Sequence, residues 1–165
     1  MQELLLQKTI LVVDDEDDVR DSVREVLSDE GYRVVDTADG TRVLDMIRTE
    51  RPELVLLDIW MPQVDGIGLL KEIKSQEPEI NVVMVSGHGN IHTAVTATKY
   101  GAFDFIEKPV SLEGLLTTVQ RALGESPGLE AQERRPREHA RPRRRSQRVH
   151  GRNPTAPRKR SNKKP

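Results

Sequence analysis

Residues 54–62 have the sequence Leu-Val-Leu-Leu-Asp-Ile-Trp-Met-Pro, an apolar run that carries one carboxylate, Asp58. A short run rich in Leu, Val and Ile and closed by Pro62 is typical of a strand buried on both faces of a parallel sheet. Ligands of open α/β sheets bind outside the carboxyl ends of the strands. We therefore predict that Asp58 lies at the functional edge of such a sheet.

Four other short segments have the composition of strands, and helical periodicity follows each of them. These predicted strands are residues 9–13, 33–36, 80–85 and 103–106. Five helices are predicted to present inner faces made of Val19, Val23, Val26 and Leu27; Val43, Leu44 and Ile47; Ile67, Leu70 and Ile73; Ala94, Val95 and Thr98; and Leu112, Leu115, Leu116, Val119 and Leu123. The alternation predicts a flavodoxin-like α/β fold with a doubly wound, five-stranded parallel sheet.

Charge divides the chain into two parts. Residues 1–123 contain 12 Lys and Arg against 23 Asp and Glu, whereas residues 124–165 contain 14 against 4, so net charges of −11 and +10 give the overall −1. The second part has too few apolar residues to offset chain entropy. We predict an N-terminal extension over 1–8, one folded domain over 9–123 and a disordered Arg/Lys/Pro-rich tail over 124–165.

Composition also excludes several classes of protein. The chain has no cysteine, which excludes disulfides, thiolate metal sites and cysteine nucleophiles. No apolar run approaches the roughly 18 residues of a membrane-spanning helix, and no signal peptide is recognisable. We expect a cytoplasmic protein without membrane contact.

Polar side chains stand at the ends of four predicted strands. Asp14 and Asp15 follow the first strand, Asp58 ends the third, Ser86 follows the fourth and Lys108 follows the fifth. In the alternating fold these strand ends meet at one edge of the sheet. Carboxylate oxygens from two strands suit Mg²⁺, a hard cation that also accepts phosphate oxygens. The sequence therefore predicts a magnesium site at this edge.

The same residues predict phosphoryl chemistry. Mg²⁺ and the Lys108 ammonium can neutralise the oxygens of a phosphoryl group in transit, and Ser86 can donate a hydrogen bond to one of them. Asp58 is then the candidate nucleophile, because aspartate forms acyl phosphates. Taken singly, the acids fit a solvated helix start, Ser86 fits a turn and Lys108 fits a surface position. Their joint occurrence at matching strand ends favours the phosphoryl site.

This ordered set of residues resembles the receiver (CheY-like) domain of bacterial two-component response regulators. The resemblance covers about residues 8–123, and residues 86–91 and 103–109, together with residues 58–61, are similar to the NtrC/NtrX branch. Members of that branch usually continue into an ATPase domain and a DNA-binding helix-turn-helix. Because no Gly-rich phosphate loop follows residue 123, we expect this chain to lack both domains.

The resemblance implies a phosphoacceptor switch rather than an enzyme. A sensor histidine kinase would phosphorylate Asp58 to 4-aspartylphosphate, in a transfer that the receiver itself catalyses and slowly reverses by autodephosphorylation. Mg²⁺ would be held by Asp15, Asp58 and the backbone carbonyl of Trp60, with Asp14 acting through water. The bond before Pro109 would be cis.

The resemblance also implies a switch and an output face. Once Asp58 is phosphorylated, Ser86 would move towards the phosphoryl group and Phe105 would turn inwards. The face formed by helix 4, strand 5 and helix 5 would contact a downstream partner or a second copy of the chain; it offers Lys99, Tyr100, Asp104 and Arg121.

Several alternatives stay open at this point. Trp60 either fills space or influences the lifetime of the phosphoryl group through water access. The basic tail either binds nucleic acid non-specifically by counterion release, folds back on the acidic domain or is inert. It is equally open whether the tail is an effector, a linker or a truncated or frame-shifted end.

Three other functions compete with the switch. A flavodoxin-like electron carrier shares the strand order, but the acids after the first strand would repel flavin phosphate. A magnesium-dependent aspartate phosphatase needs a second aspartate two residues after the nucleophile, where this chain has Trp60. A basic interaction protein would depend on residues 124–165.

Overall fold

The computed structural model describes residues 7–125. Its strands are β1 Thr9–Val13, β2 Arg33–Thr37, β3 Leu54–Asp58, β4 Asn81–Ser86 and β5 Asp104–Glu107. Its helices are α1 Asp17–Asp29, α2 Val43–Glu50, α3 Gly66–Gln76, α4 Ile91–Lys99 and α5 Leu112–Ala122. The predicted extension and basic tail lie outside the described residues, apart from residues 7, 8, 124 and 125.

The five strands form one parallel sheet in the order β2-β1-β3-β4-β5. This order confirms the predicted flavodoxin-like, doubly wound sheet. Strand β3 lies at its centre, with Asp58 opposite Val85 of β4, while Ser86 lies opposite Glu107 of β5. The topology therefore brings the ends of β1, β3, β4 and β5 to one edge.

Apolar layers cover both faces of the sheet. Successive residues of β3 alternate between the layers: Leu54 and Leu56 pack with α1 and α5, and Val55 and Leu57 pack with α2, α3 and α4. All five residues of β3 are buried. Burial on both faces explains why this strand is a continuous apolar run rather than an alternating one.

Two predicted helix faces are partly wrong. In α4, Val95 is 60% exposed and Thr98 is exposed, whereas Ala97 is the fully buried residue. This helix offers little contrast between its sides, so packing on the sheet decides its orientation. In α5, Leu112 is exposed while Leu115 and Val119 are buried. Leu112 is the first residue of α5 and lines a pocket instead of the core.

Glu125, the last described residue, is bound to the start of the domain. The Tyr32 hydroxyl donates to Glu125 Oε2 at 2.6 Å, and Lys8 Nζ pairs with Glu125 Oε1 at 3.2 Å. Lys8 Nζ also donates to the Leu123 carbonyl at 3.0 Å. The end of α5 is therefore tied to the start of β1 and β2. Within the described part of the chain, no helix is long and apolar enough to cross a membrane.

Candidate functional site

Asp58 is a buried carboxylate at the centre of the sheet edge. It ends β3 and is only 3% exposed. Its Oδ1 atom accepts a hydrogen bond from the Trp60 backbone N–H at 3.3 Å. The Ile59 N–H donates to the Val85 carbonyl at 3.2 Å, which continues the β3–β4 pairing past Asp58. The sheet thus fixes the position of this carboxylate.

Lys108 places its ammonium among three carboxylates. Its Nζ atom lies 2.9 Å from Asp14 Oδ2, 3.1 Å from Glu16 Oε1 and 3.3 Å from Asp58 Oδ2. The Lys108 N–H donates to the Ser86 carbonyl at 2.9 Å, and the following peptide bond to Pro109 is cis. The distance to Asp58 Oδ2 places the ammonium at the sheet edge beside this carboxylate.

Residues 14–16, which we name the acid loop, connect β1 to α1. Asp14 is buried, whereas Asp15 and Glu16 are exposed. One carboxylate oxygen from each lies within 4.8 Å of the other two, and Asp14 Oδ1 accepts from the Glu16 N–H at 2.9 Å. Closely grouped hard oxygen donors of this kind can hold a divalent cation.

The electrostatics of the site indicate an excess of negative charge. The pKa of Asp58 is raised from its ordinary value of 3.8 to about 6, mainly by burial and then by repulsion from Asp14, against the opposing effect of Lys108. Burial also opposes the charge on Lys108, but hydrogen bonds to Asp14 and Glu16 and attraction to Asp58 raise its pKa. One ammonium thus faces three acids.

Gly66 allows helix α3 to begin directly beside Asp58. A Cβ atom at this position would lie 2.6 Å from the Asp58 carbonyl oxygen and 2.6 Å from Ile59 Cα. The Gly66 N–H donates to the Ile59 carbonyl at 3.1 Å. Only glycine permits this approach without a backbone shift.

Ser86 and Phe105 lie on the strands β4 and β5, beside the site. Ser86 is buried, and its Oγ accepts from the His88 N–H at 3.2 Å. The half-buried Phe105 ring lies under the loop between β4 and α4, so close that a Cβ on Gly89 would be 2.3 Å from its Cζ atom. Both side chains therefore contact that loop.

A pocket of about 470 Å³ opens beside Lys108, between α1 and the start of α5. Its walls include Glu16, Val19, His88 and the exposed Leu112. Trp60, by contrast, is 59% exposed on the two-residue strand Trp60–Met61, so it does not fill space in the core.

The structure thus brings Asp14, Asp58 and Lys108 into contact, with Asp15 next to them and Ser86 joined to Lys108 through the backbone. Sequence reasoning missed Glu16, which pairs with Lys108. In the sequence, Glu16 was marked only by its position in a run of five acids, residues 14–18. Such a run does not indicate which acids turn inwards.

A model of the response regulator receiver domain family matches residues 10–120. The chain belongs to this family. Its receiver domain is 49% identical over 116 residues to the nitrogen assimilation regulatory protein NtrX of Azorhizobium caulinodans, an alignment that covers 69% of this chain and 26% of that protein. The putative NtrX-like response regulator of Rickettsia bellii is 41% identical over 115 residues, 68% of this chain and 24% of its own length. The chain therefore spans about a quarter of the length of these relatives.

Solved structures agree with this assignment. The crystal structure of the NtrX receiver domain from Brucella abortus is 52% identical, with a TM-score of 0.67 and coverage of 71% of this chain and 99% of that one. The beryllofluoride-activated NtrC4 receiver domain dimer is 36% identical, with a TM-score of 0.69 and coverage of 72% and 98%. The predicted resemblance to the NtrC/NtrX branch is confirmed.

Proposed function

We propose that this receiver domain accepts a phosphoryl group from a sensor histidine kinase on Asp58, in a Mg²⁺-dependent reaction in the cytoplasm. The observation that carries the proposal is the buried Asp58 carboxylate, which lies 3.3 Å from the Lys108 ammonium and beside the acid loop. A nucleophile, a fixed cation and a set of metal donors are thus together at one sheet edge.

The residues present fit magnesium. Asp15 and Asp58 would hold it through carboxylate oxygens and Trp60 through its backbone carbonyl, and Asp14 would act through a water molecule. The fit rests on the hard oxygen donors of the acid loop and on the surplus of acids around Lys108. When bound, Mg²⁺ neutralises charge on the phosphoryl oxygens and lowers the cost of bringing Asp58 against them.

In the transfer, one Asp58 Oδ atom attacks the phosphorus of the phosphohistidine in line with the leaving nitrogen. A P–O bond forms as the P–N bond breaks, and the kinase imidazole leaves with the electron pair. Lys108 stays beside the phosphoryl oxygens and balances their charge. Attack of water on phosphorus later releases inorganic phosphate and restores Asp58. This slow, self-limited turnover makes the domain a switch rather than an enzyme.

The switch that we propose uses Ser86 and Phe105. Phosphorylation gives the Ser86 hydroxyl proton a new acceptor, and movement of Ser86 towards it would draw the Oγ atom away from the His88 N–H, from which it now accepts. Movement of Ser86 and of the following loop frees the Phe105 ring, which now lies against Gly89, to turn inwards. The two packings differ in contacts to the phosphoryl group, so phosphorylation shifts their populations.

The output face is α4, β5 and α5. Ile91 is 84% exposed, and Val95, Tyr100 and Phe103 are exposed on the same part of the domain. We propose that this apolar surface contacts a second copy of the chain or a downstream partner after phosphorylation. The dimeric state of the activated NtrC4 receiver supports the homodimer.

Trp60, the one tryptophan of the chain, supplies a test. Its backbone N–H contacts Asp58, and its exposed ring reports on the site. We expect Mg²⁺ to change its emission and beryllofluoride to change it again. Asp58→Asn should abolish the second change. A parent protein that does not respond to either addition would overturn the proposal.

A further inference from the structure

Arg20 connects helix α1, strand β2 and the acid loop. Its side chain is only 14% exposed. Its Nη1 atom donates to the Asp14 carbonyl at 2.7 Å, its Nε atom donates to Asp36 Oδ2 at 3.2 Å, and its Nη2 atom donates to Asp17. The planar guanidinium can make these contacts at once because its donors point in fixed, divergent directions.

Asp36 is a firm anchor for this guanidinium. It lies on β2, and its second oxygen accepts from Arg24 Nη1 at 3.1 Å. The backbone N–H of Asp14 is also held from β2, since it donates to the Thr37 carbonyl at 3.2 Å. The peptide groups on both sides of Asp14 are therefore fixed, one by the sheet and one by Arg20.

The Arg20 side chain forms its hydrogen bond to the acid loop with the main chain of that loop. Within residues 7–125, none of the side-chain carboxylates of Asp14, Asp15 or Glu16 accepts from Arg20. The guanidinium therefore does not neutralise the candidate metal donors. It fixes the peptide that joins two of them, Asp14 and Asp15.

We infer that Arg20 is a positioning residue for Mg²⁺: it holds the Asp14–Asp15 peptide so that both carboxylates face the site. This inference rests on the proposed function. Without Arg20, mutual repulsion of the three acid-loop carboxylates would widen the loop. Groups that orient metal ligands commonly change metal affinity by 10- to 100-fold, and we expect Arg20→Gln to weaken Mg²⁺ binding by about tenfold.

The direction in which Arg20→Gln changes Mg²⁺ affinity distinguishes a positioning role of Arg20 from an effect of its charge. Arg20 is a cation near a cation site, so Coulomb repulsion alone would make Mg²⁺ bind more tightly after Arg20→Gln. Positioning predicts the opposite. Arg24 is the matched control: it lies on the same helix, pairs with Asp21 of that helix and Asp36 of β2, and does not contact the acid loop, and its loss leaves the Arg20–Asp36 pair in place. Arg24→Gln should leave Mg²⁺ affinity unchanged or slightly tighter.

The test is a Mg²⁺ titration of the full chain, followed by Trp60 emission, in the parent and in Arg20→Gln, Arg20→Lys and Arg24→Gln. Circular dichroism checks that each variant is folded. Arg20→Lys keeps the charge, but its single ammonium cannot span Asp14 and Asp36, so we expect intermediate affinity and partial rescue.

Parental or tighter affinity in folded Arg20→Gln would overturn the inference. If that variant does not fold, parental affinity in Arg20→Lys would overturn it, and weakened affinity in Arg20→Lys would support it. A parent protein that binds no Mg²⁺ would instead overturn the proposed function, and the inference with it.

Discussion

The Lys108 Nζ atom lies 2.9 Å from Asp14 Oδ2 and 3.3 Å from Asp58 Oδ2, so one ammonium bridges two buried carboxylates, one from the acid loop and one from β3. Removing the ammonium leaves both acids buried without a cation. In Lys108→Gln we expect the magnesium-free domain to lose about 3 kcal/mol of unfolding free energy, the lower end of the range for removing one partner of a buried ion pair.

The same substitution should tighten Mg²⁺ binding, because the site then carries one more net negative charge. It should also slow phosphorylation by acetyl phosphate by about 100-fold, since Lys108 no longer stabilises the phosphoryl oxygens. Thermal unfolding with and without Mg²⁺, together with phosphorylation rates, checks all three effects. Parental stability in magnesium-free Lys108→Gln would contradict the bridge.

Magnesium binding should depend on pH through Asp58. Its pKa is raised to about 6, mainly by burial and then by Asp14. Above pH 6 the carboxylate is free to bind, whereas below pH 6 protons compete, so affinity should fall by about tenfold per pH unit. Asp14→Asn should shift this onset to lower pH. Titrations between pH 4.5 and 8 would refute the assignment if affinity stayed constant.

The raised pKa of Asp58 also predicts how stability changes with pH when magnesium is absent. Between 3.8 and about 6, the folded domain keeps a proton on Asp58 that the unfolded chain has released. The Asp58 contribution to unfolding free energy therefore falls as pH rises through this window. Comparison with Asp58→Asn by urea unfolding isolates that contribution, and identical pH profiles would contradict it.

Much of the fold could be predicted because β1 and β3 are continuous apolar runs with acids at their ends. The orientation of α4 could not, since Val95 and Ala97 are both apolar and only the sheet decides which faces it. The contacts of Glu16 with Lys108 and of Arg20 with the Asp14 carbonyl also escaped prediction. Both depend on the path of the acid loop, and the spacing of residues in the sequence does not determine that path.

Gly66→Ala should destabilise the domain. The new Cβ would lie 2.6 Å from the Asp58 carbonyl oxygen, which is backbone and cannot move without displacing Asp58. We expect a loss of about 1–3 kcal/mol in unfolding free energy, together with weaker Mg²⁺ binding. Gly68→Ala is the control on the same helix, because its nearest neighbour is the Asp65 side chain at 3.3 Å. Equal losses of unfolding free energy in both variants would argue against a role for the close approach of Gly66 to the Asp58 carbonyl.

Ser86→Ala should separate phosphorylation from switching. The hydroxyl oxygen accepts from the His88 N–H and, among residues 7–125, forms no hydrogen bond with the Asp58 carboxylate or the Lys108 ammonium, so we expect phosphorylation within a few-fold of the parent rate. Without the hydroxyl, residue 86 cannot donate a hydrogen bond to the phosphoryl oxygen, so the loop before α4 is not drawn towards the site. NMR shifts of Phe105 and α4 on adding beryllofluoride should therefore shrink. Shifts of parental size would contradict the proposed coupling of Ser86 to Phe105.

The central claim is that Asp58 becomes covalently phosphorylated, and intact-mass spectrometry tests it most directly. After incubation with acetyl phosphate and Mg²⁺, the parent should gain the mass of one phosphoryl group, and chelation of Mg²⁺ should prevent the gain. Asp58→Asn should show no gain under the same conditions. An unchanged parental mass, or an equal gain in Asp58→Asn, would contradict the account.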